Sequence, residues 1–183
     1  MSRGFIRQQV GGREDNDFYC TDPRAVEAFL NVYNDIDQQI WEPANGIGHI
    51  SDVLTAHGYN VRRSDLIKRT DDTEELDFLS QDETFNGDIF TNPPYKYAVE
   101  FIEKAYNTVT DGHKVIMLLR LLFLESTKRQ SFFKKYPPKY IYVSSKRINC
   151  AKPPFDFDAT SAVAYGWFIW EKGYKGEPII RWI

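Results

Sequence analysis

The sequence predicts an α/β fold in which a mostly parallel sheet of about seven strands carries helices on both of its faces. Short apolar segments typical of buried strands alternate along the chain with segments in which apolar residues recur at helical spacing. Such alternation favours parallel strands joined by right-handed crossovers, because each helix packs back onto the sheet before the next strand begins. The 183 residues suffice for one such domain and leave no room for a second of useful size.

The predicted elements follow one another closely. Residues 1–17 are polar and lack periodicity, so we expect a flexible N-terminal arm ahead of a single domain that spans residues 18–183. Helices are predicted to start at Pro23 and after Gly48, and to cover 98–109 and 126–133. Strands are predicted at 39–42, 59–65, 114–119, 139–143, 162–170 and 179–182, with a short buried one starting at Asp88. A glycine turn joins the last two strands, which predicts an antiparallel hairpin at the edge of the sheet.

The composition is that of a globular protein without membrane segments. Hydrophobic residues make up 42% of the chain, and no apolar run approaches the roughly 20 residues that a membrane helix needs. The N-terminus lacks an apolar signal region, so we expect a cytoplasmic protein that does not contact a membrane. Cys20 and Cys150 lie far apart and no histidine has ligand spacing to them, so we expect reduced thiols and no metal site.

Charge is distributed unevenly along the chain, although the formal net charge is only −3. Residues 1–95 carry 8 Lys and Arg against 18 Asp and Glu, a balance of −10, whereas residues 96–152 carry 12 against 4, a balance of +8. Basic charge beside a binding site is typical of proteins that bind polyanions, with an ordinary solvated surface as the alternative. We interpret the basic half as a surface for nucleic acid.

A stretch in the middle of the chain combines a strand with a rigid polar corner. Asp88-Ile89-Phe90-Thr91 is apolar enough for a buried strand, and Pro93-Pro94 must end it because proline has no N–H for the ladder. Asn92 and Pro93 each precede a proline, so both are held extended. The Asn92 side-chain oxygen and the Pro93 carbonyl can therefore accept from one planar amino group. Tyr95 offers a ring on which a flat heterocycle can stack.

The tetrapeptide Asn92-Pro93-Pro94-Tyr95 resembles the catalytic motif of the S-adenosylmethionine (SAM) dependent amino-methyltransferases, best known from the adenine-N6 DNA methyltransferases. The resemblance covers about residues 18–171 and implies the Rossmann-like class I SAM methyltransferase fold, with strand order 3-2-1-4-5-7-6 and strand seven antiparallel. It implies SAM as the cofactor, with Asn92, Pro93, Pro94 and Tyr95 as catalytic residues. A proline-rich turn beside a core tyrosine is the alternative.

A strand, a glycine-containing turn and a helix form the predicted cofactor site. Glu42 ends the strand and offers an acceptor, while Gly46 and Gly48 allow tight turning and close approach of a ligand to the backbone. Asp65 ends the next strand, where an acid in such sheets faces the ribose of the ligand. A turn-forming aspartate is the alternative for that position.

The resemblance implies further cofactor contacts outside this turn. It places the acidic and aromatic pair Asp77-Phe78 at the adenine of the cofactor, and it places a contact at Thr21, for which an ordinary capped helix is the alternative. The predicted cofactor-binding residues are Thr21, Glu42, Pro43, Ala44, Asn45, Gly46, Gly48, Asp65, Asp77, Phe78 and Asn92.

The loop at 144–157 combines bases, prolines and aromatic residues. Phe155 or Phe157 can pack on a flipped base while basic side chains hold phosphates, with a loop folded over the core by its phenylalanines as the alternative. The predicted nucleic-acid-binding residues are Lys96, Arg120, Lys146, Arg147, Lys152 and Phe155.

These features predict a SAM-dependent methyltransferase of exocyclic amino groups, with adenine N6 in DNA as the expected substrate. The same corner occurs in enzymes that methylate a guanine amino group in RNA or a protein glutamine, and the basic half disfavours only the protein substrate. A SAM-binding subunit without catalysis is an alternative of another class. No residues remain for a separate target-recognition domain, so three alternatives stay open: recognition by the basic loops, recognition with a homodimer or a partner subunit, and weak recognition.

Overall fold

The computed structural model describes residues 19–152, 155–159 and 161–183, so the predicted arm at 1–17 lies outside the described residues. The helices are α1 (Pro23–Leu30), α2 (His49–Ala56), α3 (Ala98–Thr108) and α4 (Gln130–Lys135). The strands are β1 (Cys20–Thr21), β2 (Gln39–Glu42), β3 (Asn60–Asp65), β4 (Glu74–Glu75), β5 (Asp88–Thr91), β6 (Lys114–Arg120), β7 (Tyr140–Val143), β8 (Cys150–Ala151), β9 (Tyr165–Glu171) and β10 (Ile179–Trp182).

Eight of the strands form one sheet in the order β10-β7-β9-β6-β5-β2-β3-β4. Strands β4, β3, β2, β5 and β6 are parallel, and β9 alone runs antiparallel to its two neighbours. If β2 is counted as strand one, this is the predicted order 3-2-1-4-5-7-6 with β10 added beyond strand six. The order reverses between β2 and β5, and such a switch point is where α/β sheets bind ligands.

The predicted C-terminal hairpin is wrong. β10 pairs parallel with β7, with Ile179 beside Tyr140, and not antiparallel with β9. The physical reason is that both edges of β9 are already occupied, by β6 on one side and β7 on the other. The chain does reverse after β9 at Gly173, where φ is +93°. It therefore reaches the next free edge, that of β7, which itself runs opposite to β9.

Apolar side chains of the central strands point alternately into two buried layers. Along β6, Val115, Met117 and Leu119 belong to the layer that packs on α3 and α4, whereas Ile116 and Leu118 belong to the layer that packs on α1 and α2. This period of two is what a strand covered on both faces requires. Each large side chain that is fully buried contributes roughly 1.5–3 kcal/mol, and these include Trp41, Trp167, Trp170, Phe29 and Phe90.

Two pairings involve strands of only two residues. Glu74–Glu75, both exposed, form the edge strand β4 beside the end of β3 and take the place of strand three in the implied order. Farther away, β1 pairs antiparallel with β8, which places Thr21 opposite Cys150. This second pairing brings the segment before α1 against the loop that follows β7.

Among the described residues, no helix has the length and apolar character needed to cross a membrane.

Candidate active site

A cavity of ≈ 440 Å³ opens where β2, β3 and β5 end, at the switch point of the sheet. Its walls bring together ten of the eleven predicted cofactor-binding residues: Thr21, Glu42, Pro43, Ala44, Asn45, Gly46, Asp65, Asp77, Phe78 and Asn92. The eleventh, Gly48, is not among the lining residues. A Cβ there would lie 3.4 Å from Asp52 Oδ1 and 3.5 Å from Arg63 Nη1, so the side-chain position of Gly48 faces α2 and β3.

The turn after β2 is held in place by backbone hydrogen bonds to β3. Asn45 N–H donates to the Ser64 carbonyl at 2.9 Å, and Gly46 N–H donates to Asp65 Oδ2 at 2.8 Å. Gly46 has φ of +58°, a left-handed conformation that favours glycine. The Asp65 carboxylate thus fixes the turn while it also lines the cavity, and its other oxygen accepts from Arg69 Nη1 at 3.0 Å.

Glu42 is a buried acid at the inner end of the cavity. Its carboxylate accepts from the Ser51 hydroxyl, and only 1% of the residue is exposed. Burial raises the pKa of Glu42 well above its ordinary value, and the hydrogen bond from Ser51 opposes that shift only in part. A buried acid of this kind is stabilised as an anion when a cationic group binds next to it.

The Asn92 amide is held by the segment before α1. Its Nδ2 donates to Thr21 Oγ1 at 3.0 Å and to the Tyr19 carbonyl at 3.4 Å. Because a carbonyl only accepts, these contacts set the nitrogen on that side and the oxygen on the other. Asn92 Oδ1 is buried, and it has no hydrogen-bond partner among the described residues. The cavity wall therefore contains an oriented acceptor that lacks a donor.

Tyr95 lies beside the cavity in a buried polar cluster. Its hydroxyl donates to Cys150 Sγ at 3.6 Å, and the Arg120 guanidinium lies 4.6 Å from the centre of its ring. Burial raises the pKa of Tyr95, that of Cys150 to about 11 and that of Tyr165 to about 12. Arg120 therefore covers one face of the ring that was expected to stack on a base. Arg120 is itself half-buried in this cluster.

Two of the predicted nucleic-acid contacts flank the cavity. Lys96 Nζ lies 5.0 Å from the ring of Tyr97 and Lys152 Nζ lies 5.1 Å from the ring of Tyr19, and both tyrosines line the cavity. Lys146 and Arg147 are exposed on the loop after β7. These positions place positive charge at the cavity mouth and along one adjacent loop.

Phe155 packs within the protein. Its ring lies 5.4 Å from that of His49 in an edge-to-face contact and stacks on Phe157 at 6.3 Å. The loop therefore packs against His49 through its phenylalanines, and Phe155 is half-buried there. His49 lines the cavity, so the loop contributes indirectly to the cavity wall.

Several lining residues were not singled out from the sequence, among them Tyr19, His49, Arg69 and Tyr97. Tyr97 and His49 directly follow predicted motifs, so extending each motif by a helical turn would have found them. Tyr19 reaches the site only through the β1–β8 pairing, for which the sequence contains no local signal.

Several solved structures share this arrangement of strands. A proposed RNA methyltransferase from Pyrococcus horikoshii superposes with a TM-score of 0.61 at 12% identity, over 90% of this chain and 93% of that one. A proposed class I SAM-dependent methyltransferase from Listeria monocytogenes gives 0.57 at 13% identity, over 87% of this chain and 61% of that one. The fold is that of the class I SAM-dependent methyltransferases.

The type IIG restriction endonuclease BpuSI has the same fold, with a TM-score of 0.54 at 13% identity, and this chain covers 24% of its length. The likeness covers 84% of the present chain. No protein-family model matches the sequence, and no curated protein matches it. The class I methyltransferase fold is therefore established by three-dimensional likeness, and the chemistry must be argued from the cavity.

Proposed function

We propose that this protein is a methyltransferase that transfers a methyl group from SAM to an exocyclic amino nitrogen, adenine N6 of DNA. The observation that carries the proposal is the buried, unpartnered Oδ1 of Asn92 in the wall of the cavity. A buried acceptor without a donor costs roughly 1–3 kcal/mol, which a substrate N–H would recover. The adjoining prolines hold this corner rigid before any substrate arrives.

The chain's own residues act on the amino group by orientation. The nitrogen lone pair of an adenine amino group is delocalised into the ring, and hydrogen bonds from its N–H groups to Asn92 and the Pro93 carbonyl favour the localised lone pair. When bound, SAM supplies an electrophilic methyl group on a sulfonium sulfur. Thr21 keeps the Asn92 amide from rotating, so the acceptor is in place without further reorganisation.

The residues around the cavity fit SAM. The volume of ≈ 440 Å³ lies within the usual range for small-molecule sites. Glu42 offers a buried acceptor for the ammonium group, Asp65 lies where ribose hydroxyls are bound, and Phe78 provides an apolar wall for the adenine. The turn at Gly46 lets the ligand approach the backbone closely. These residues are proposed as the cofactor site.

Two features support nucleic acid as the substrate. Lys96 and Lys152 place positive charge at the cavity mouth, and Lys146 and Arg147 extend it along the loop after β7. Among the proteins with this fold, one is a proposed RNA methyltransferase and another is a restriction endonuclease. DNA is the substrate proposed here. RNA bases, protein glutamine and SAM binding without turnover are the competing outcomes.

A single assay distinguishes these outcomes. The protein is incubated with radiolabelled SAM and separate pools of DNA, RNA and protein, and the incorporated label is measured and assigned to a modified base. Label in N6-methyladenine of DNA is the expected result. Label in RNA or protein only, or SAM binding with no transfer to any pool, contradicts the proposed activity.

The catalytic role of Asn92 has its own test. Asn92→Ala should reduce turnover by much more than tenfold, a loss well above ~1.4 kcal/mol, while the Kd for SAM stays within a few-fold. The reason is that Oδ1 is assigned to the substrate amino group and not to the cofactor. Asn86→Ala is a control, since Asn86 lies before β5 and bonds only Thr110 and His113 among the described residues. Activity of Asn92→Ala within tenfold of wild type contradicts the assignment.

A further inference from the structure

The two edges of the main sheet are protected differently. The β4 edge is two residues long and presents the exposed acids Glu74 and Glu75, a pattern that discourages pairing with another strand. The opposite edge, β10, exposes large apolar side chains on either side of Arg181: Ile180 is 50% exposed and Trp182 is 69% exposed. An exposed apolar edge strand is a ready template for pairing with another chain.

The backbone of β10 is oriented for such pairing. Ile179 N–H donates to the Lys139 carbonyl and Ile183 N–H to the Val143 carbonyl, each at 3.0 Å, so odd-numbered residues use their backbone groups toward β7. By alternation, the N–H and C=O groups of Ile180 and Trp182 point to the outer edge. No strand in the described part of the chain pairs with that edge.

We propose that β10 forms the interface of a homodimer, in which two copies pair antiparallel with Ile180 opposite Ile180 of the partner subunit. A directly opposed, hydrogen-bonded pair needs outward backbone groups on both strands, which Ile180 has. In this register Trp182 lies opposite Pro178 of the partner subunit, whose carbonyl can accept from the Trp182 N–H, while proline has no N–H to return. Arg181 lies diagonal to Glu177 of the partner subunit, within reach of an ion pair.

A groove beside β10 fits the exposed tryptophan. The groove has a volume of ≈ 690 Å³, and its lining combines the apolar residues Leu124, Phe133, Pro137 and Pro178 with polar ones that include Lys134 and Lys175. Residues opposite each other in a ladder share a face, so Trp182 of the partner subunit projects over Pro178 toward this groove. Because the dimer is two-fold symmetric, this contact between Trp182 and the groove forms twice, once on each subunit. Pairing, groove and charges are thus all self-complementary, which favours a second copy of this chain over another partner.

The proposed dimer keeps the two cavities apart. Three strands, β7, β9 and β6, separate β10 from β5, where the candidate catalytic corner lies. The two-fold axis reverses the strand direction from one subunit to the other. Each cavity opens at the carboxyl ends of its own strands, so the two cavities open on opposite sides of the joined sheet. The interface therefore does not depend on the proposed function, and its loss should leave SAM affinity unchanged.

Sedimentation equilibrium of the full chain tests the interface. Wild type should sediment at about twice its 21.4 kDa at tens of micromolar protein, whereas Ile180→Lys should sediment as a monomer because two lysines would face each other at the axis. Val32→Lys, at a residue 51% exposed on another surface, is the matched control and should remain dimeric. Circular dichroism checks that each variant is folded. Monomeric wild type, or a dimer that survives Ile180→Lys, overturns the proposal.

A cysteine substitution tests the register. Opposed residues of a hydrogen-bonded antiparallel pair have Cα atoms about 5.5 Å apart, a spacing that a disulfide accepts. Ile180→Cys should therefore form an intermolecular disulfide under mild oxidation, and Val32→Cys should not. Equal cross-linking of the two variants would overturn the symmetric register.

Discussion

At the scale of single residues, the site depends on one amide and on what fixes it. Asn92 directs its nitrogen at Thr21 and the Tyr19 carbonyl, which leaves the oxygen without a donor among the described residues. The sequence indicated Asn92 as an acceptor because the two prolines that follow it mark a rigid corner at the end of a strand. It did not indicate that Thr21 orients Asn92, because the two residues meet only once the chain is folded.

Removal of the Thr21 hydroxyl should lower turnover with little change in cofactor binding. Thr21→Val keeps the shape of the side chain but takes away the acceptor for Asn92 Nδ2, so the amide loses its fixed orientation. We expect kcat to fall roughly tenfold or more, equivalent to at least about 1.4 kcal/mol. Thr21→Ser should retain activity. If Thr21→Val instead weakens SAM affinity and leaves kcat unchanged, Thr21 is a cofactor contact.

Glu42 should make stability depend on pH. Burial raises its pKa in the folded state, so the folded protein holds this proton more tightly than the unfolded chain. The free energy of unfolding therefore falls as pH rises above the ordinary pKa of a glutamate and toward the raised one. Glu42→Gln, which still accepts from Ser51, should remove this part of the slope. Thermal unfolding of wild type and Glu42→Gln from about pH 5 to about pH 8 measures this difference in slope. Parallel curves of stability against pH for the two proteins would contradict the role of Glu42.

At the scale of elements, the turn between β2 and α2 positions the cavity. Gly46 has a left-handed conformation, and its N–H is bonded to Asp65 at the end of β3. The carboxyl ends of β2 and β3, and the turns that follow them, thus lie side by side at the cavity. Since both signals are local, a glycine turn after one strand and an acid at the end of the next, this part of the site was predictable from sequence.

Gly46→Ala should weaken SAM binding more than it weakens the fold. Positive φ costs an L-residue roughly 1–2 kcal/mol, and a side chain at the cavity wall adds a collision with the ligand. Gly58→Ala is the matched control, because Gly58 also has positive φ, at +89°, and a Cβ there would meet nothing within 4 Å. Calorimetry should show at least tenfold weaker SAM binding for Gly46→Ala only. Equal affinities in the two variants would remove Gly46 from the cofactor site.

The strand order was predictable, and the pairings of β10 with β7 and of β1 with β8 were not. Hydrophobic runs alternating with helical periodicity indicated β2, β3, β5, β6, β7 and β9, and the resemblance supplied their order. The direction of β10 was also indicated by the turn at Gly173. Its neighbour was missed because the free edge of β7 exists only in the assembled sheet. The β1–β8 pairing is two residues long and depends on tertiary contact alone, so no periodicity could reveal it.

At the scale of the whole molecule, the acidic pI of about 5.7 and the proposed polyanionic substrate are compatible because charge is local. Lys96 and Lys152 beside the cavity mouth belong to the basic region after the Asn92 corner, while the acids concentrate before it, including the protected β4 edge. A phosphate backbone responds to the nearby positive groups, since distant charges are screened within about 10 Å.

DNA binding should therefore fall steeply with salt. Each phosphate contact contributes a slope of roughly −0.9 when log affinity is plotted against log salt. Lys96→Ala combined with Lys152→Ala should reduce the slope by about two, whereas Lys175→Ala, at the exposed loop before β10, should leave it unchanged. Fluorescence anisotropy over a salt series measures these slopes. A double variant with the wild-type slope would show that these lysines do not contact phosphate.

Strand preference tests how a chain of this size reaches its target base. Paired DNA requires the adenine to be flipped out, which costs a few kcal/mol, and a single chain of 183 residues offers little surface to offset that cost. Single-stranded or mismatched DNA should then be methylated at least as fast as paired DNA. The comparison uses initial rates on one oligonucleotide, single-stranded and annealed, at two salt concentrations. A strong duplex preference that Ile180→Lys abolishes would show that the second subunit supplies the missing contacts. A strong duplex preference could instead persist in Ile180→Lys and not respond to salt. That outcome would contradict recognition by a minimal basic surface. Neither the basic residues at the cavity mouth nor the dimer would then explain how the duplex is opened.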